Sequence, residues 1–217
     1  MFATLGIHDL ALFVVSGLLL NIAPGPDSLL IMARSAGQGW RAGSAAALGI
    51  GSGTFVHIVA AALGLSAVLA TSATAFTVVK LIGAAYLLYV GLGMLLSRRR
   101  SAAAVDSAEV VAPPALPYRR IYLQGLLTNV LNPKVALFFL AFVPQFIEHD
   151  APNKALAFVV LGCIFNFNGM IWCHCLALFT ATASQRIRVS ASVTQTLNRA
   201  IGALFVSFGI KLALAPR

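Results

Sequence analysis

The 217 residues are 59% hydrophobic and only 10% charged, with a formal charge of +9, and the mean hydropathy is +0.91. A soluble domain of this length carries about 25% charged residues, so the composition excludes a water-soluble protein and points to an integral membrane protein. The positive charge follows from the basic loops that orient such proteins and does not call for nucleic acid.

Six apolar segments are expected, at 10–33, 42–70, 75–96, 121–147, 155–183 and 200–214. A membrane span needs about 20 residues. The second and fifth are long enough to tilt; the sixth is short and extends back towards Val193, with Arg199 snorkelling to the interface. The first run has no basic leader and is preceded by Asp9, so it does not read as a cleaved signal.

The first segment is interrupted by Asn21-Ile22-Ala23-Pro24-Gly25-Pro26-Asp27. Pro24 and Pro26 each remove a backbone donor, and a continuous helix cannot pass through them. In the second segment Gly49, Gly51 and Gly53 let helices approach closely, as do Gly83 and Gly91 in the third; packing is their expected job. Tyr86 and Tyr89 line a pathway or pack.

Residues 97–117 follow, with Arg98, Arg99 and Arg100, then small residues, then Pro113, Pro114 and Pro117. Such a stretch buries no core and reads as a cytoplasmic linker. The fourth segment then repeats the first: Gly125-Leu126-Leu127-Thr128-Asn129-Val130 mirrors Gly17-Leu18-Leu19-Leu20-Asn21-Ile22, and a break at Asn132-Pro133 precedes Lys134. The charge after the break is acidic in the first copy and basic in the second. In the fifth segment, Cys173-His174-Cys175 has ligand types suited to a metal. Neighbours two apart point to different faces of a helix, however, and no second cluster completes four ligands. No metal is expected. Cys163 completes an odd count of three cysteines within one apolar run, which argues against a disulfide framework.

Arg34, Arg41, Arg98, Arg99, Arg100, Arg119, Arg120, Arg186, Arg188 and Arg199 all fall on one side if the chain crosses at every segment. That side is cytoplasmic by the positive-inside rule, and both termini lie outside. The expected fold is an all-α polytopic membrane protein of six transmembrane helices. Residues 1–96 and 121–217 form two inverted three-helix repeats, joined by the linker at 97–120, and helices one and four are broken. At 1.5 Å per residue, Asn21 lies roughly 16 Å from the outer end of its segment and Asn129 roughly 13 Å from the inner end of its own. Both breaks therefore fall near the middle of the bilayer.

Asp27 is a carboxylate at membrane depth, which marks a functional site by default; it also suits the first turn of a helix after Pro26. Lys134 opens a half-helix where the local dipole disfavours a cation. Its charge must be offset, either by Asp27 across the repeat axis or by an anionic group such as a substrate carboxylate. Asn21, Asn129 and Asn132 are partners for backbone groups freed by the prolines, or for a ligand. His57 is a proton relay or a hydrogen-bonded packing residue. Asn166 and Asn168 are similarly placed in segment five.

Asn21-x-x-Pro24-Gly25-Pro26-Asp27, Asn129-x-x-Asn132-Pro133-Lys134, Phe142-Val143-Pro144-Gln145-Phe146 and Gly83-Ala84-Ala85-Tyr86-Leu87-Leu88-Tyr89-Val90-Gly91 resemble motifs of the LysE/RhtB family of bacterial amino-acid exporters. The resemblance covers nearly the whole chain. It implies a secondary transporter of the inner membrane, not an enzyme, that exports a small amino acid or derivative in exchange for protons and needs no cofactor. Its partners would be the amino acid, protons, the lipid bilayer and another copy of the chain. Asp27, Lys134, Asn21, Asn129, Asn132 and His57 would bind substrate or couple protons, with Pro24, Gly25, Pro26 and Pro133 as the helix breaks. The alternatives are a cation or metal exporter, which would need more carboxylates in the bilayer, and a membrane redox carrier, which would need cysteines at the breaks.

Overall fold

The computed structural model describes residues 2–65, 73–96, 115–148 and 150–183, with isolated helical positions between 199 and 214. Helix α1 (Leu10–Ile22) stops where Ala23 turns extended, at φ −56° and ψ 126°. A residue before proline is pushed out of the helical region, so Pro24 ends α1. Pro26 then starts α2 (Pro26–Gln38), at the position where a missing N–H costs nothing. The two axes differ by 53°.

Gly39 alone connects α2 to α3 (Trp40–Ala60), with φ 82°. A side chain is strained at that angle, and glycine lets the chain reverse in one residue. Beyond α3 the helix widens into π-type turns over Ala61–Leu65. Helix α4 (Ala73–Leu96) follows. Helix α5 (Tyr118–Val130) ends before Leu131 and Asn132, and α6 (Pro133–Leu137) restarts with Pro133 at its first position. The chain continues in π-type turns through Phe142 and a 3₁₀ turn through Phe146. The second break bends by 46°. Helix α7 (Lys154–Ala183) completes the long elements.

Among the described residues, two helices are long and apolar enough to cross a membrane, Trp40–Gly64 and Lys154–Thr182, and each bent pair makes one further candidate span. The third expected segment is α4, and helical positions from the sixth lie against it. A Cβ at Gly91 would meet the Gly202 carbonyl at 2.7 Å and Val206 at 2.8 Å. Arg98, Arg99, Arg100, Arg186 and Arg188, and linker residues before 115, lie outside the described residues.

Lipid is as apolar as a leucine side chain, so close packing replaces the hydrophobic effect between helices. The contact of α3 with α5 shows how. A Cβ on Gly49 would collide with the Tyr122 carbonyl, and one on Gly125 with the Ala46 carbonyl. The glycines of segment two therefore pack, as expected from their spacing. Small residues, Ala42, Ala46, Ala47 and Ala177, fill one end of the bundle around Ile31 and Ile121. Phenylalanines fill the other: Phe138 lies 4.5 Å from Phe165, and Phe13 meets Phe146 edge-on at 5.2 Å.

Each end is tied by hydrogen bonds. At the small-residue end Gln38 donates to the Leu116 carbonyl at 3.1 Å and accepts from the Leu116 N–H at 3.0 Å. At the aromatic end the Glu148 N–H donates to the Gly6 carbonyl at 2.8 Å, and the His8 N–H donates to the Phe146 carbonyl at 3.1 Å. These ties put the end of α2 beside the start of α5, and the start of α1 beside the end of the α6 segment.

Two details differ from the sequence expectation. Segment four begins at Tyr118, three residues earlier than position 121, because Pro117 provides the N-cap; Arg119 and Arg120 are exposed in its first turn. Segment one does not end before Arg34. Helix α2 runs on to Gln38, and Arg34 is 7% exposed, donating to Gln124 Oε1 at 2.9 Å. A buried guanidinium needs acceptors, and Gln124 of α5 supplies one.

Candidate functional site: two broken helices that exchange side chains

Pro26 and Pro133 hold the first position of α2 and α6, so Asp27 and Lys134 hold the second position of each. The two side chains occupy equivalent places and carry opposite charge. Each crosses to the other break. Lys134 Nζ donates to the Leu20 carbonyl at 3.1 Å and the Ala23 carbonyl at 3.0 Å. Those carbonyls belong to the C-terminal end of α1, where the last turn has no intrahelical donors and the dipole favours a cation. The charge that opposes its own helix is thus satisfied by the end of another.

Asp27 makes the opposite crossing. Its Oδ2 accepts from Asn129 Nδ2 at 2.8 Å, in the last turn of α5. Asn129 is 1% exposed and is the hub of the second break. Its Oδ1 accepts from Thr54 at 3.4 Å, and its carbonyl accepts from His57 Nε2 at 3.0 Å and from the Asn132 N–H at 2.9 Å. Asn132 caps α6 by accepting the Lys134 N–H at 3.0 Å. Among the described residues Asp27 and Lys134 form no direct ion pair. Of the two offsets weighed for Lys134, the described residues show no pairing with Asp27: Lys134 is held by carbonyls and Asp27 by an amide.

Between the breaks lies a cavity of about 30 Å³, lined by the polar residues Asn21, Asp27, Thr54, Asn129, Lys134 and Asn166 and by the apolar residues Leu20, Ile50, Val135, Phe165 and Met170. One water needs roughly 10–15 Å³ by this measure, so the space fits about two waters. Polar groups inside it lack partners: Asp27 Oδ1 and Asn21 Nδ2 are buried and make no hydrogen bond. Asn132 Nδ2 is also buried without a hydrogen bond. Such groups cost free energy unless something else fills them.

Glycines shape the site. Gly25 has extended backbone, at φ −167°, and its significance is space: a Cβ there would lie 3.1 Å from Lys134 Nζ. Gly169 of α7 lies under Asn21, where a Cβ would stand 3.1 Å from Oδ1.

Five of the residues expected to act together, Asp27, Lys134, Asn21, Asn129 and Asn132, do meet at the breaks. His57 lies one step back from the cavity. It stacks on Phe139 at 6.2 Å and repairs the freed Asn129 carbonyl. Because a carbonyl only accepts, Nε2 carries the hydrogen. Thr54 was not singled out, although its i, i+3 spacing to His57 puts both on one face of α3. In segment five Asn166 donates to the Gly51 carbonyl at 3.3 Å and borders the cavity. The Cys-His-Cys cluster spreads over the faces of α7. Cys173 is buried at the cavity, Cys175 is exposed, and His174 Nδ1 donates to the Met170 carbonyl at 2.8 Å.

Residues 18–215 match the LysE type translocator family. The chain belongs to that family. An uncharacterized membrane protein of Pseudomonas aeruginosa is 35% identical over 98% of both chains. A leucine efflux protein of Salmonella typhimurium is 29% identical over 98% of both, and an uncharacterized membrane protein of Bacillus subtilis is 30% identical over 96% of this chain and all of its own. No solved structure matches. In this LysE type translocator both proline breaks and the charged residue after each fall within the matched region.

Proposed function

We propose that this translocator exports a small zwitterionic amino acid across a bacterial inner membrane in exchange for protons, and that leucine is the first substrate to test. The substrate lies between the two breaks. The observation that carries this is the reciprocal crossing of Asp27 and Lys134. It assembles one negative and one positive charge around a cavity that apolar side chains also line.

An ammonium group fits beside Asp27, and the N-termini of α2 and α6 with Lys134 make the cavity positive for a carboxylate. Ile50, Phe165 and Met170 face an aliphatic side chain. The leucine efflux relative favours such a side chain. The cavity of about 30 Å³ holds about two waters, and loading an amino acid is proposed to separate the two halves. Proton exchange falls to Asp27, the titratable group on the cavity that can alternate between an ammonium and a proton.

The architecture proposed is two inverted repeats, 1–96 and 121–217, about a cytoplasmic linker, with six spans and both termini outside. Equivalent glycines support it: a Cβ on Gly17 of α1 would lie 3.1 Å from Phe165 of α7, and one on Gly125 of α5 would collide with the Ala46 carbonyl of α3. The broken helix of each half thus packs on the second helix of the other half. Exposed Arg41, Arg119 and Arg120 at one end support the orientation.

The test is counterflow in proteoliposomes, loading one unlabelled amino acid at a time and following entry of its labelled form. Leucine or a close aliphatic homologue should drive accumulation, and Asp27→Asn should abolish its dependence on a pH gradient. Accumulation of no amino acid would refute the proposal.

A further inference from the structure

We infer that Asn21 Nδ2 and Asp27 Oδ1 are the two atoms that receive the substrate's carboxylate and ammonium groups, and that Lys134 holds the first break in shape without carrying the carboxylate. The inference rests on the proposed amino-acid export and assigns the ligands of that same site.

Charge alone would give the carboxylate to Lys134. Its hydrogen bonds say otherwise. Two of its three N–H donors go to the Leu20 and Ala23 carbonyls, at 3.1 and 3.0 Å. Turning either of those two donors to a substrate would strip the end of α1 of part of its cap, so only the third N–H is left to the cavity. The free groups are elsewhere. Asp27, which lines the cavity, is anchored by one oxygen, Oδ2, to Asn129, and its Oδ1 is buried with no hydrogen bond of its own, the Asn132 side-chain amide being close by. Asn21 borders the same cavity with its Nδ2 buried and nothing to donate to.

One is an acceptor suited to a cation and the other a donor suited to an anion. They come from the same break, Asn21 before the prolines and Asp27 after them, so a single change in that break moves both. Gly169 beneath Asn21 gives the amide room on α7. Lys134 still lends its positive potential to the space, but the directional hydrogen bond is left to Asn21.

The experiment is a cycle of three variants against three probes, with binding measured by titration calorimetry on purified full-length protein in detergent. The probes are leucine, 3-methylbutylamine (leucine without its carboxylate) and 4-methylpentanoate (leucine without its ammonium). Asn21→Ala should weaken leucine and 4-methylpentanoate by about tenfold or more while leaving 3-methylbutylamine within about twofold, the loss of one hydrogen bond to a charged group. Asp27→Asn should weaken leucine and 3-methylbutylamine and spare 4-methylpentanoate. Lys134→Gln removes only a background potential and should weaken leucine and 4-methylpentanoate by less than Asn21→Ala does.

Should Asn21→Ala fail to fold, Asn21→Asp keeps the shape; it should reject 4-methylpentanoate and improve 3-methylbutylamine. The inference is overturned if Asn21 variants weaken the amine as much as leucine, or if Lys134→Gln costs the two carboxylate probes more than Asn21→Ala does. A native protein that binds leucine with such a pattern sinks this ligand assignment alone. A native protein that binds neither leucine nor any other amino acid sinks the export proposal, and this assignment with it.

Discussion

A methyl group at Gly25 tests the crossing of Lys134 directly. The backbone there is extended, at φ −167°, a conformation that any residue adopts, so Gly25→Ala adds volume without backbone strain. The new Cβ would stand 3.1 Å from Lys134 Nζ and 3.5 Å from Cε. The ammonium must retreat by a few tenths of an ångström, but it is pinned to two carbonyls at 3.0 and 3.1 Å. At least one of those bonds is lost or stretched. A hydrogen bond to a charged group is worth about 1.5–3 kcal/mol. Replacing glycine returns about 0.4–1 kcal/mol through the unfolded chain. The net expectation is a loss of about 1–2 kcal/mol. With Lys134→Ala already in place, the next neighbour is the Ala23 carbonyl at 4.0 Å. The same methyl should then be neutral or slightly stabilising. Reversible unfolding in mixed detergent micelles, followed by far-ultraviolet circular dichroism, gives the four stabilities of the cycle. An equal cost for Gly25→Ala with and without Lys134 would refute the reasoning.

Three further outcomes are expected. Asp27→Asn should leave membrane abundance near normal, since the helix start survives, and strongly reduce efflux from loaded cells; lost abundance with normal efflux by the remaining protein would make the carboxylate structural. Gly125→Ala should destabilise by about 3 kcal/mol or prevent folding, because backbone blocks the new methyl on α3 and cannot rotate away; the same micelle unfolding measures it. His57→Gln retains a donor towards the Asn129 carbonyl and should preserve transport and its response to a pH gradient, whereas loss of that response alone would place His57 on the proton path.

The breaks were legible because proline and glycine act locally. Pro24, Pro26 and Pro133 end and restart helices by removing donors and fixing φ, whatever surrounds them. The small-residue contacts were legible for the same reason: a Gly49 or Gly125 within an apolar run has few uses other than close approach. The partners were not legible. The sequence shows that the charge of Lys134 must be offset, but not that the acceptors are main-chain carbonyls more than 110 positions away. Main-chain acceptors leave no mark on composition. The role of Thr54 and the burial of Arg34 are not legible either, since they depend on Asn129 and Gln124 of a different helix. Cys173 was read with its neighbours as a trio, when the turn of α7 sends it alone to the cavity.

The central claim is that the exported molecule occupies the space between the two breaks, and Cys173 reports on it. That thiol lines the cavity, while Cys163 and Cys175 are exposed on α7 and can be replaced by serine. The decisive measurement is the rate at which a small thiol reagent modifies Cys173 in proteoliposomes, with and without a transported amino acid. Leucine should slow modification with the same half-saturating concentration that drives its counterflow, and an amino acid that is not transported should leave the rate unchanged. Leucine transport with no protection of Cys173 at saturating concentration would contradict the account.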